Sequence, residues 1–190
     1  MNKTTWMIVA GASALAVALR IADLPWLNFS ALAALFVLCG AVVRPTWLGI
    51  LIPLGCRLLT DLFVSRENGF GDVTALIFVY AAYSVIFVLA RWIQPQRIKS
   101  AFGTGLLAAT AFFLITNFGS WYMPYDGVHY MYPQTLNGLL SSYVNGIWFA
   151  RGTFLGDVGF TILFIGMMQL QAMFVKNEAT AATSTTAADL

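Results

Sequence analysis

Arg57 and Asp61 stand four residues apart inside an apolar run, Trp47 to Val64, where ionisable side chains are rare. That spacing puts both on one helix face, together with Gly49 and Pro53. A charge at the centre of a bilayer costs at least about 2.5–3.5 kcal/mol, so such groups face a cavity or one another. Two chemistries fit. The pair neutralises itself within its own helix, or it holds the polar groups of a bound small molecule. A third ionisable group, Asp157, lies in another apolar run with Thr153 and Thr161 four residues to either side. It can cap a helix start, pair with Arg57 across a bundle, or face the same ligand. Asn117 and Trp121 close a further run beside Thr116 and Ser120. The amide either holds a bent helix end or orients a substrate; the indole either anchors at the membrane interface or stacks on a ligand. Arg57, Asp61, Asn117, Trp121 and Asp157 are therefore the candidate substrate-binding residues.

Catalytic readings find no motif. The order Phe154-Leu155-Gly156-Asp157 lacks the first glycine of the Gly-x-Gly-Asp signature of intramembrane aspartyl proteases. No HExxH, no phosphate loop and no nucleophile motif paired with a histidine occurs. His129 is the single histidine and makes no metal site by itself. Neither enzyme activity nor a metal or cofactor is expected.

The elements that must position these groups follow from composition. Of 190 residues, 59% are hydrophobic and 9% charged, with a mean hydropathy of +0.78. Soluble domains carry about 25% charged residues. So few charges cannot cover a surface facing water, so a lipid bilayer must cover it. The Lys and Arg residues are scattered, which argues against a nucleic-acid-binding patch. Cys39 and Cys56 both fall in apolar runs and are expected as free thiols rather than a disulfide.

Apolar runs at 6–19, 31–43, 47–64, 73–90, 101–118 and 153–175 predict an all-α membrane protein of six transmembrane helices, one domain over residues 1–176. The second run is short: as a helix it reaches only about 20 Å. The basic start before the first run also fits a signal peptide. Within that run, however, Ala10, Ala14 and Ala18 recur every fourth residue, a smooth strip that lets another helix approach closely in lipid. Packing within the chain is the other reading of the strip. Residues 135–149 read as an amphipathic helix, with Leu136, Leu139, Leu140, Tyr143 and Ile147 on one face. It is expected ahead of the last span, lying against the outer surface or dipping into the bundle. The Ala/Thr/Ser-rich stretch 177–190 is expected to be a disordered tail.

Charge sets the orientation. With the N-terminus inside, Lys3, Arg44, Arg91, Arg97, Lys99 and Lys176 face the cytoplasm, and Arg20, Arg66 and Arg151 face outward. This follows the positive-inside rule and makes both termini cytoplasmic. Arg57 and Asp61 then fall in the outer half of their span, and Asp157 about one turn below the outer surface.

Five stretches carry a resemblance. They are Asn28-Phe29-Ser30 followed by ALAALF, Thr60-Asp61-Leu62-Phe63, Thr116-Asn117-Phe118-Gly119-Ser120-Trp121, Tyr132-Pro133-x-Thr135-x-x-Gly138-Leu139, and Thr153-Phe154-Leu155-Gly156-Asp157. Together they resemble an uncharacterised group of bacterial inner-membrane proteins similar to the S components of energy-coupling-factor (ECF) vitamin transporters. The resemblance implies six helices with a substrate pocket near the outer face, closed by loops. It also implies that Ala10, Ala14 and Ala18 contact the coupling helices of a transmembrane partner that carries two ATPases. Ala31 stands where the group is expected to have proline, and Ser142 where it often has cysteine. Some solitary relatives of S components take up cobalamin through a cysteine ligand, a role open here to Cys56. The expected function is a substrate-binding membrane subunit or solitary transporter for a vitamin-like small molecule. The alternative is a non-transporting membrane scaffold or accessory subunit.

Overall fold

A computed structural model of the chain describes residues 1–22, 28–68 and 73–188, with side chains over 1–22, 28–63 and 76–177. It holds six helices: α1 (Lys3–Ile21), α2 (Leu32–Val42), α3 (Thr46–Asn68), α4 (Val73–Ile93), α5 (Ile98–Tyr122) and α6 (Leu136–Ala188). Among the described residues there is no strand. Five helices carry segments long and apolar enough to cross a membrane: Lys3–Ile21, Thr46–Phe63, Leu76–Ile93, Ile98–Tyr122 and Leu136–Asn177.

The sixth, α2, departs from the expected set of full spans. Its 11 residues rise about 17 Å, well short of the roughly 30 Å hydrocarbon core. Residues 32–40 are buried on every side, the mark of a helix enclosed by other helices rather than presented to lipid. It packs against all five of the others. Phe36 is fully buried and stacks on Tyr83 of α4 at 4.7 Å between ring centroids. Gly40 lets α4 approach closely, since a Cβ there would sit 2.8 Å from the Phe87 carbonyl oxygen.

Arg91 at the foot of α4 closes the C-terminus of α2. Its Nη1 donates to the carbonyls of Gly40 (3.1 Å) and Val43 (2.9 Å), and its Nη2 donates to Thr46 Oγ1 at 2.6 Å. A cation there satisfies orphan carbonyls and complements the helix dipole. Arg91→Met is expected to cost about 1–2 kcal/mol, read as a lowered midpoint in detergent unfolding. Arg91→Lys should recover only part, because one ammonium cannot span three acceptors.

In α3 the stripe Gly49, Pro53, Arg57 and Asp61 is buried. Leu51, Leu58, Leu59, Leu62 and Phe63 are exposed, facing the surroundings. This arrangement, polar inside and leucine outside, suits a lipid solvent. At the far end of α1, Asn2 Oδ1 accepts from Thr5 N (2.8 Å) and from Gln171 Nε2 (2.9 Å), tying the first turn of α1 to α6.

The separate outer helix expected over 135–149 is not a separate element. It forms the first turns of α6, which runs without a break to Ala188. Gly152 alone does not interrupt it, because a single mid-helix glycine costs only about 1 kcal/mol. Arg151, counted as an outward-facing charge between the amphipathic stretch and the last run, lies over the Trp148 ring at 5.1 Å. Of the two placements expected for the segment, it takes the one against the bundle, packed on α5. Ser142 Oγ donates to the Asn117 carbonyl at 3.0 Å, Tyr143 OH donates to the Leu114 carbonyl at 3.2 Å, and the Phe113 and Tyr143 rings meet at 5.8 Å. The helix also continues through most of the stretch expected as a disordered tail. That stretch is rich in alanine, the best helix former, and is appended to a helix already nucleated.

Candidate functional site

Because α2 ends halfway, the space beyond its N-terminus is not filled by helix. A cavity of about 410 Å³ occupies it. Leu19, Arg20 and Ala22 from the end of α1 line it, with Asn28, Phe29 and Ser30 from the segment entering α2. Arg57 comes from α3, Val79 and Tyr83 from α4, Phe112 and Thr116 from α5, and Thr153 and Asp157 from α6. A second cavity of about 310 Å³ shares Asn28, Phe112, Thr116 and Thr153 with the first. It continues past Asn117, Ser120, Asn145 and Gly146 to Met131 and Tyr132 of the α5–α6 connection.

The charged centre is built on Asp61. Its Oδ2 accepts from Arg57 Nε at 2.7 Å and from the Tyr80 hydroxyl at 2.9 Å, while Oδ1 accepts from Arg20 Nη2 at 3.2 Å. The Arg57 guanidinium also lies over the Tyr80 and Tyr83 rings, at 5.8 and 5.6 Å from their centroids. Tyr83 in turn rests on Phe36, so the short central helix supports the position of Arg57. Asp61 does not line the cavity; it stands behind the two arginines that do. Arg57 thus pairs with the acid of its own helix, not with Asp157.

Asp157 is 4% exposed, and its Oδ2 has no hydrogen-bond partner. Thr161, one turn further along α6, is fully buried with Oγ1 also without a partner. Two glycines bring the neighbouring backbone close at this level. A Cβ on Gly156 would sit 2.5 Å from the Ser30 carbonyl oxygen, and one on Gly105 2.9 Å from Val158 Cα. Small residues at helix crossings allow such approach in lipid.

Asn117 lines the second cavity, where its Nδ2 donates to the Phe113 carbonyl at 2.8 Å. Gly146 faces it so closely that an added Cβ would lie 2.1 Å from Asn117 Oδ1. Trp121 lines neither cavity. Its Nε1 donates to the Pro133 carbonyl at 3.0 Å, and its own carbonyl accepts from Gln134 Nε2. It holds the α5–α6 connection in place rather than stacking in the chamber. At the tip of that connection, Asp126 accepts from the backbone N–H groups of His129 (2.6 Å) and Val128 (2.9 Å), and pairs with the His129 ring at 2.6 Å. These donors, His129 foremost, hold the Asp126 carboxyl below its usual range.

The structure therefore brings Arg57 and Asp157 to one cavity and Asn117 to the next, sets Asp61 behind them and leaves Trp121 outside. Sequence reasoning used Arg20 only as an outward-facing charge and did not name Tyr83; it named Asn28, Ser30, Thr116 and Thr153 without counting them among the candidate binding residues. A tyrosine pair one turn apart in the fourth apolar run, Tyr80 and Tyr83, was the available signal. Asp23, three residues beyond Arg20, lies outside the described residues. Among the described residues no three His, Cys, Asp or Glu side chains come together to hold a metal. Cys39 and Cys56 are both free.

Five apolar spanning segments around a half-length buried helix define a multi-pass α-helical membrane protein. The chain belongs to a family of unknown function, DUF6580, and the match covers residues 1–181. No curated protein and no solved structure matches it.

Proposed function

We propose that the chain is a substrate-binding membrane protein of the ECF S-component type, working with a coupling subunit and its ATPases or alone, for a vitamin-like small molecule. The observation that carries this reading is Asp157: a buried carboxyl oxygen with no protein partner, on the wall of a cavity that Arg20 and Arg57 also line. Internal struts are normally satisfied by their neighbours. A buried acid without a partner, on a residue that lines a cavity, points to a functional site. The volumes of about 410 and 310 Å³ match the roughly 300–1,000 Å³ of small-molecule sites.

Orientation follows from charge. In the cytoplasmic membrane of a bacterium, with both termini inside, the cavity opens toward the outer face and the connection held by Trp121 covers it. Ala10, Ala14 and Ala18 are all exposed on α1, with Gly11 beside them, a smooth surface on which coupling helices could pack.

Native mass spectrometry of protein purified without denaturation tests the reading. Wild-type protein should retain a small molecule, and Asp157→Ala and Asn117→Ala should release it. A native protein that carries nothing, and that no member of a vitamin panel stabilises, would sink the proposal. Ala14→Leu should abolish capture of a coupling subunit yet leave the ligand in place.

A further inference from the structure

We infer that the ligand is amphoteric: a small molecule with a protonated nitrogen at one end and an oxyanion at the other. The inference rests on the ligand-binding reading and names the substrate class of that same cavity.

The supporting observation is a division of charge along one cavity wall. Arg20 and Arg57 line the cavity, and both bind the single carboxylate of Asp61, which does not line it. Two guanidiniums sharing one acid leave one positive charge facing inward. Within this pole Arg20 Nε has no hydrogen-bond partner. The other pole is Asp157 on α6, which makes no ion pair among the described residues and whose Oδ2 lacks a donor.

Among the described residues, the two guanidiniums and two carboxylates sum to zero once a bound cation keeps Asp157 ionised. A neutral site with separated charges, in surroundings of low dielectric, favours a ligand that is itself neutral overall and carries the complementary separation. An anion alone satisfies the arginines but leaves Asp157 Oδ2 without a donor. A cation alone satisfies Asp157 but leaves Arg20 Nε open and meets two like charges. Leaving either pole unfilled retains the cost of a buried polar group without its partner. Only a ligand carrying both groups completes both poles.

A charge series on one ring tests this: 4-(aminomethyl)benzoate as the zwitterion, 4-methylbenzoate as the anion and benzylamine as the cation. Affinity is read by the concentration dependence of thermal stabilisation of the full chain in detergent. The zwitterion is expected to bind at least about tenfold more tightly than either singly charged probe. In Asp157→Asn, which keeps the side-chain shape, the zwitterion should fall to the level of 4-methylbenzoate. In Arg20→Gln it should fall to that of benzylamine. Circular dichroism of both variants checks that the helices persist. The inference is overturned if a singly charged probe binds as well as the zwitterion, or if Asp157→Asn leaves the order unchanged. It is also overturned if none of the three stabilises a protein that retains some other small molecule. Retention of nothing by the native protein, with no response to any probe, instead overturns the ligand-binding reading beneath it.

Discussion

Asp61→Ala should be the most damaging single change, lowering stability by about 3–5 kcal/mol. The substitution removes the acceptor that Arg57 Nε, Arg20 Nη2 and the Tyr80 hydroxyl all use. Arg57 is only 5% exposed, so its guanidinium would be left charged in the bundle interior with no counter-ion. The cost is therefore that of an orphaned charge, not that of one lost hydrogen bond. This distinction gives the test. If desolvation is the cause, Arg57→Met should rescue much of the Asp61→Ala defect, because a matched apolar pair in a buried site is tolerated far better than half an ion pair. Unfolding titrations in detergent on the two single variants and the double variant measure the coupling. Simple additivity would show that the pair does not act as a unit. Asp61→Asn should sit between, since its amide oxygen still accepts from Tyr80.

Phe36→Ala should be next, at about 3 kcal/mol, the lower end of the range for removing a phenylalanine from a core. The lower end applies because a ring freed by separating helices enters acyl chains rather than water. What remains is the lost packing around a fully buried ring stacked on Tyr83. The effect should reach the cavity as well as the fold. Tyr83 lines the cavity and lies under Arg57, so a void behind Tyr83 lets the arginine shift. Retained ligand measured by native mass spectrometry should fall in Phe36→Ala and largely return in Phe36→Leu, which refills most of the volume. A variant that loses stability but binds as before would separate the central helix from the site.

Much of the fold was readable because lipid makes the rule simple. Composition alone required a membrane environment, and the apolar runs located all six helices, though α6 begins well before its run. The four-residue recurrence of Gly49, Pro53, Arg57 and Asp61 correctly identified an inward stripe on α3, since helix geometry fixes which residues share a face. Other features could not be read this way. The second run was visibly short, but nothing in its residues says that a short helix at the centre leaves a cavity beyond its end. Arg20 looked like an interfacial residue because its partner, Asp61, is 41 positions away. Trp121 had the same composition signal whether it faced a ligand or tied down a loop; only the Pro133 and Gln134 bonds separate the two. The expected break near Arg151 failed because Trp148 accommodates the charge within the helix.

The sequence by itself determined the solvent, the helices and the choice of inward faces, because burial in lipid and helical periodicity are local properties of neighbouring residues. The tertiary structure decided which charges share a partner, where the bundle leaves room, and which acid remains open to that room. Those depend on contacts between residues far apart in the chain, and a polar side chain carries no local mark of whether its partner is supplied by the protein.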